Sequence, residues 1–105
     1  MTILKSFPAI SPGPGVTRQV LADSPELMLV SFRFDVGAKG ALHSHPHVQS
    51  THVASGRFRF HLDGAEFDIG PGDSFVIPSG VIHGCECLEA GRLLDSFAPR
   101  RDDFL

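Results

Sequence analysis

The 105-residue chain has no apolar run near the ~20 residues that span a bilayer, so it offers no membrane helix. It has no basic surplus either. Nine Lys and Arg face twelve Asp and Glu, a net charge of −3, which removes the field that draws nucleic acid or anionic lipid. The opening Met1-Thr2-Ile3-Leu4-Lys5 carries no apolar stretch of the signal type, so a cytoplasmic location is expected. Cysteine is scarce. Cys85 and Cys87 stand one residue apart, and on a strand such a pair projects side by side, a poor geometry for a disulfide. No window keeps a helical period for two turns without a glycine or proline, which excludes long helices. The length suits one compact domain, residues 1–105, and leaves no room for a catalytic domain beside a nucleotide-binding one.

What is present points to strands. Hydrophobic residues make up 42%, enough for a core, and eight prolines and eleven glycines supply turns. After a short N-terminal strand, Phe7 to Gly15 reads as an irregular lead-in. Apolar and β-branched runs follow at Val16–Leu21, Leu27–Phe34, Thr51–Ala54, Phe58–Leu62, Phe67–Ile69, Phe75–Ile77 and Leu93–Phe97. Asp63-Gly64 predicts a two-residue hairpin turn, and Gly70-Pro71-Gly72-Asp73 and Pro78-Ser79-Gly80 predict two more tight turns. Short, evenly spaced strands in about a hundred residues predict an all-β sandwich or a small double-sheet barrel.

Six histidines carry the chemical information. In extended chain, residues i and i+2 share a face, so His43 and His45 form a two-imidazole claw suited to a transition metal. Gln49 keeps the same parity and offers an amide oxygen. His83 begins a strand after the Pro78-Ser79-Gly80 turn, where a sheet folded over the first would bring it opposite the claw. His47 follows Pro46 and is expected at the pocket mouth; His52 and His61 have no partner at ligand spacing and read as surface residues.

Gly37, His43, His45, Gln49 and Gly56, then Gly72, Pro78, Gly80 and His83, resemble the two halves of the cupin signature. The resemblance spans Gly37 to Cys87, with the two motifs at 37–56 and 72–87. It implies a double-stranded β-helix, a jelly-roll-like barrel holding one divalent transition metal on His43, His45, Gln49 and His83. Zn, Ni, Fe or Mn would each suit such a set. Two positions depart from the common pattern. Gln49 stands where a glutamate is usual, leaving the full charge on the metal and making it a stronger Lewis acid toward an anionic, oxygen-rich ligand. Cys87 replaces an asparagine and reads as a small inward-facing packing residue.

The C-terminal stretch Asp95-Ser96-Phe97-Ala98-Pro99-Arg100-Arg101-Asp102-Asp103-Phe104 is the second informative feature. Asp95 and Phe97 share a strand face, and Arg101 follows the Pro99 bend and can fold over the opening. This stretch and His-Ser-His-Pro-His-x-Gln resemble the small cupins of pectin and alginate degradation that linearise 4,5-unsaturated monouronates. That resemblance implies an isomerase-type enzyme acting on a small anionic sugar. Asp95 would transfer the proton, Arg101 hold the carboxylate and Phe97 pack on the ring. A homodimer is expected, since so small a barrel leaves strand edges to cover. Two alternatives remain open at this point: an oxygen-using cupin such as an Fe(II) dioxygenase, and a non-catalytic sugar- or metabolite-binding module.

Overall fold

The computed structural model describes residues 3–105. Eight strands follow in chain order: β1 (Ala9–Gly13), β2 (Val16–Asp23), β3 (Met28–Phe34), β4 (Lys39–His43), β5 (Val48–Leu62), β6 (Ala65–Ile69), β7 (Ser74–Ile77) and β8 (His83–Ala98). A 3₁₀ turn, Asp102–Phe104, ends the chain. No helix is long and apolar enough to cross a membrane among the described residues.

All pairings are antiparallel, and β5 and β8 organise them. Their paired halves define two layers. The first half of β5 pairs with β7 and with the second half of β8, which continues through β3 and β2 to β1. The second half of β5 pairs with β6 and with the first half of β8, which carries β4 on its other edge. The ladder changes register between Val53 and Phe58, where the two strands cross at Gly56 and Gly91. Gly56 has φ +79°, and a Cβ there would lie 2.5 Å from the Glu89 carbonyl oxygen; a Cβ on Gly91 would collide with the Ser55 carbonyl. Bending both long strands at one point folds the sheet into two facing layers, the double-sheet barrel expected from the sequence.

The period-two burial of β5, with Gln49, Thr51 and Val53 inward and Val48, Ser50 and His52 outward, fixes which side chains fill the barrel. One apolar cluster gathers Val16, Phe34, Val53, Phe58, Phe60, Ile69, Ile77, Cys85, Cys87 and Leu93. A smaller one holds Val20, Met28, Val30 and Phe97. Asp63 and Gly64 both take positive φ at the β5–β6 hairpin, as a type I′ turn requires.

Three expectations need correction. Met1 and Thr2 lie outside the described residues, and Ile3–Pro8 forms no strand. The first strand instead lies inside the proline-rich lead-in, at Ala9–Gly13. A proline is tolerated there because β1 is an edge strand, with one side free of ladder bonds. Thr51–Ala54 and Phe58–Leu62 are one bent strand. Leu93–Phe97 is the end of a strand that starts at His83.

Candidate metal centre

β4 ends at His43 and β8 starts at His83, and the two residues are direct partners in the β4–β8 ladder. His83 therefore stands beside His43 on a neighbouring strand rather than opposite it. His45 lies beyond the end of β4, in the turn to β5, so the claw is not two residues of one strand. That turn is held from the far motif. The Gly80 amide donates to the His45 carbonyl at 2.9 Å, and the Ser79 hydroxyl donates to the Pro46 carbonyl at 2.6 Å. Gly80 has φ +78°, which favours glycine at this clasp. The two sequence motifs thus meet through one backbone bond and one bond from the Ser79 side chain.

Donor nitrogens of His43, His45 and His83 lie within 4.8 Å of one another. Each ring is oriented by a carbonyl: Nδ1–H of His43 donates to Ala41 at 2.7 Å, that of His45 to His47 at 3.0 Å, and that of His83 to Val81 at 2.9 Å. A carbonyl can only accept, so Nδ1 holds the proton and each Nε2 presents a lone pair to the centre. Burial holds the His45 and His83 imidazoles below the usual histidine range, which favours the neutral, ligating form.

The donor set fits a cation on two observations. Nε2 of His83 is buried with no hydrogen-bond partner. Oε1 of Gln49 lies 2.9 Å from Nε2 of His45, while the Gln49 amide nitrogen donates to Thr51 Oγ1 at 3.1 Å. Two lone-pair atoms therefore face each other, and shared coordination of a positive ion resolves that contact. The three histidine nitrogens could hold a metal ion, and the Gln49 amide oxygen lies beside one of them.

A cavity of about 220 Å³ opens beside these donors, lined by His43, Gln49 and His83 and also by Asp95, Phe97 and Arg101. Asp95 is 6% exposed, and its Oδ1 has no partner. Burial pushes its carboxyl up to about 7, against the opposing pull of hydrogen bonding to Thr51 and Gln49 and the charge of Arg101. Thr51 sits directly across from Asp95 in the β5–β8 ladder. The sequence reading missed Thr51, although it shares the parity of Gln49 two residues earlier. It also missed the apolar wall of Phe32, Phe34, Phe60 and Phe104.

The charged tail is docked, not frayed. After a cis Ala98–Pro99 bond, Arg100 makes a two-pronged ion pair with Asp23, at 3.0 and 2.7 Å. Arg101 lies with its guanidinium carbon 5.1 Å from the Phe97 ring centroid and 4.2 Å from that of Phe104. Its Nε and Nη2 are engaged by Asp103 at 3.0 and 2.9 Å, a pairing the sequence reading did not foresee. Cys85 and Cys87 are free and buried, and burial pushes the Cys85 thiol up to about 12, so neither serves as a thiolate here. His52 is exposed and bonded to the Ser74 hydroxyl; His61 is half-exposed, 3.6 Å from Glu66.

Residues 30–97 match the family model described as the cupin domain. The pectin degradation protein KdgF of Dickeya dadantii (strain 3937) is 37% identical over 95 residues, covering 89% of this chain and 86% of that protein. Among solved structures, KdgF from Halomonas sp. superposes with a TM-score of 0.90 at 37% identity. That match covers 96% of this chain and 98% of the other. An RmlC-like cupin from Shewanella frigidimarina gives a TM-score of 0.91 at 40% identity, covering 94% and 89%.

Proposed function

Since this chain belongs to the cupin domain family, we propose that it opens the ring of 4,5-unsaturated uronate monosaccharides left by pectin and alginate lyases. The product is the linear 5-keto-4-deoxyuronate. One relative is named as a pectin degradation protein, KdgF, and matches this chain over 86% of that protein, and the solved KdgF from Halomonas sp. matches over 98%. The observation that carries the reading is Asp95: a buried carboxyl with an unpartnered Oδ1, in the same cavity as the histidine cluster.

A divalent transition metal on His43, His45, Gln49 and His83 supplies Lewis acidity toward an anionic, oxygen-rich ligand, strengthened because all four donors are neutral. Asp95 takes the proton of the anomeric hydroxyl. The bond from the anomeric carbon to the ring oxygen then breaks, leaving an aldehyde at C1 and an enolate oxygen on C5. Asp95 returns its proton to C4, and C5 becomes a ketone, so atoms and charge balance as an isomerisation. A carboxyl held up to about 7 suits both halves, because it can take and release a proton near neutral pH.

Phe97 offers a flat wall to the sugar, and Arg101, stacked above that wall, faces the substrate carboxylate with the part of its fork that Asp103 leaves free. At about 220 Å³ the cavity lies below the roughly 300–1,000 Å³ of sites for drug-sized ligands, which suits a monosaccharide over an oligosaccharide. The same reading places a homodimer in the cytoplasm, where Cys85 and Cys87 stay reduced and a second copy covers the open edge of β1.

The test is an assay on lyase-generated unsaturated monouronate, following loss of the ultraviolet absorbance of the C4=C5 bond. Loss well above the rate without enzyme, with no oxygen uptake, is the expected result. An unchanged rate, or stoichiometric oxygen consumption, would overturn the reading.

A further inference from the structure

His47 is the one histidine of the His-Ser-His-Pro-His run that stands outside the donor group, yet it is half-buried against it. Its ring lies 5.4 Å from that of His45 and 6.5 Å from that of Phe97, edge to face with both. Nε2 is 3.1 Å from the carbonyl of Arg100. A carbonyl accepts, so Nε2 carries the proton and donates it; Nδ1 is then a buried acceptor without a partner. The ring is thus committed to a single hydrogen bond, and that bond reaches the residue before Arg101.

The backbone of the same residue faces the metal. The His47 carbonyl accepts Nδ1–H of His45 and so fixes the ring that points Nε2 at the centre. One residue therefore joins two groups that act on different parts of a ligand: its main chain orients a metal donor, and its side chain holds the segment that presents Arg101. Further anchors of that segment come from elsewhere. Arg100 is clamped by Asp23 at the end of β2, its amide donates to Pro25, and Phe104 is flanked by Arg18 of β2 at 4.1 Å from its centroid. Arg101 and Phe104 also pack on Phe97, whose ring meets His45 and His47. Among the described residues, however, the His47–Arg100 bond is the one hydrogen bond that joins the turn between β4 and β5 to this segment.

We propose that His47 is a positioning residue that couples occupancy of the metal centre to the placement of Arg101, through its hydrogen bond to the Arg100 carbonyl. A metal that fixes His45 fixes the His47 backbone, and with it the ring that tethers the tail. By linkage, anything that orders the tail tightens the metal turn in return. The part of the inference that concerns substrate rests on the proposed uronate chemistry; the coupling does not.

The experiment is backbone hydrogen exchange of segment 99–105 in the full chain, with and without Zn²⁺, for the wild type, His47→Gln and His47→Leu. The amides of Arg100, Phe104 and Leu105 are hydrogen-bonded and report the opening of the segment. Zinc should slow their exchange in the wild type. Glutamine places an amide N–H where imidazole places Nε2–H, so His47→Gln should keep the zinc effect. In His47→Leu the segment should exchange about 2- to 10-fold faster, the scale of one lost hydrogen bond, and zinc should no longer slow it, although one zinc per chain is retained. Asp23→Asn loosens the same segment from the other side and should leave the zinc effect in place.

Equal zinc protection in His47→Leu, or loss of it in Asp23→Asn, would overturn the coupling. With substrate, His47→Leu should raise KM by a larger factor than it lowers kcat, and should add nothing to Arg101→Ala. Additive effects of the two substitutions would show that His47 does not act through Arg101. A wild type that turns over no uronate but shows the zinc-dependent exchange would refute the function and leave the coupling standing.

Discussion

The same two strands build both an apolar core and a polar ring, and the contrast marks where the proposed chemistry would sit. In the core, Val53, Phe58 and Phe60 of β5 meet Cys85, Cys87 and Leu93 of β8, with Phe34 edge-on to Phe58 at 5.3 Å. In the ring, Gln49 and Thr51 of β5 meet His83 and Asp95 of β8, all at most 6% exposed. Inward position thus sets burial in both regions and composition separates them. The core satisfies burial with shape alone. The ring holds an unpartnered His83 nitrogen, an unpartnered Asp95 oxygen and two facing acceptors on His45 and Gln49. Buried polar groups left incomplete cost stability and are retained where a ligand completes them.

Substitutions that keep to one region should break the comparison cleanly. Phe58→Ala, which empties a fully buried site, should lower stability by about 3–5 kcal/mol in chemical unfolding, with metal binding and turnover failing only as the protein unfolds. Asp95→Asn should do the reverse: metal content is kept while kcat falls ~10²-fold or more in steady-state kinetics. It should also alter the pH dependence of stability in metal-free protein. The Asp95 carboxyl is raised from the ordinary 3.8 to about 7 on folding, so between those values the unfolded chain gives up the proton while the folded chain keeps it. Stability from this group is complete at low pH and is lost as pH rises toward 7, so Asp95→Asn should gain on the wild type across that interval.

Gln49→Glu should keep its metal by elemental analysis and lose turnover, because a carboxylate removes roughly one unit of charge from the centre. Full activity would show that the neutral amide does not matter. Arg101→Ala should have the smallest effect, a KM increase on the order of 10-fold with kcat less changed, since the proposed ion pair to the substrate carboxylate would already form in the ground state. Arg101→Lys should recover only part of it, because an ammonium cannot reproduce the fork.

The ring was more legible in sequence than the tail that closes it. His43, His45 and His83 stand at fixed offsets from glycines and a proline, and it is the resemblance of that pattern to the cupin signature that pointed to their grouping. The hairpin at Asp63-Gly64 was legible for a local reason: its positive φ values are a property of two adjacent residues. Spacing could not reveal that His45 leaves the strand, because the Gly80–His45 clasp that holds it spans 35 residues of chain. Nor could it reveal β1 within the proline-rich segment, which pairing with β2 extends. The tail shows the limit most plainly. Asp95, Phe97 and Arg101 could be marked by parity and residue type, but Arg100 on Asp23 and His47 on the Arg100 carbonyl join distant segments. Tertiary packing sets those contacts, and no local pattern encodes them.

The most direct test of the central claim, that Asp95 moves a proton beside the histidine centre, is to run the conversion in deuterium oxide and locate the label in the linear product. The anomeric hydroxyl exchanges with solvent, so the carboxyl that takes its deuteron should deliver one deuterium to C4 on a single face, and Asp95→Asn should abolish that selectivity. Equal labelling of both faces by the wild type, or conversion no faster than without enzyme, would contradict it.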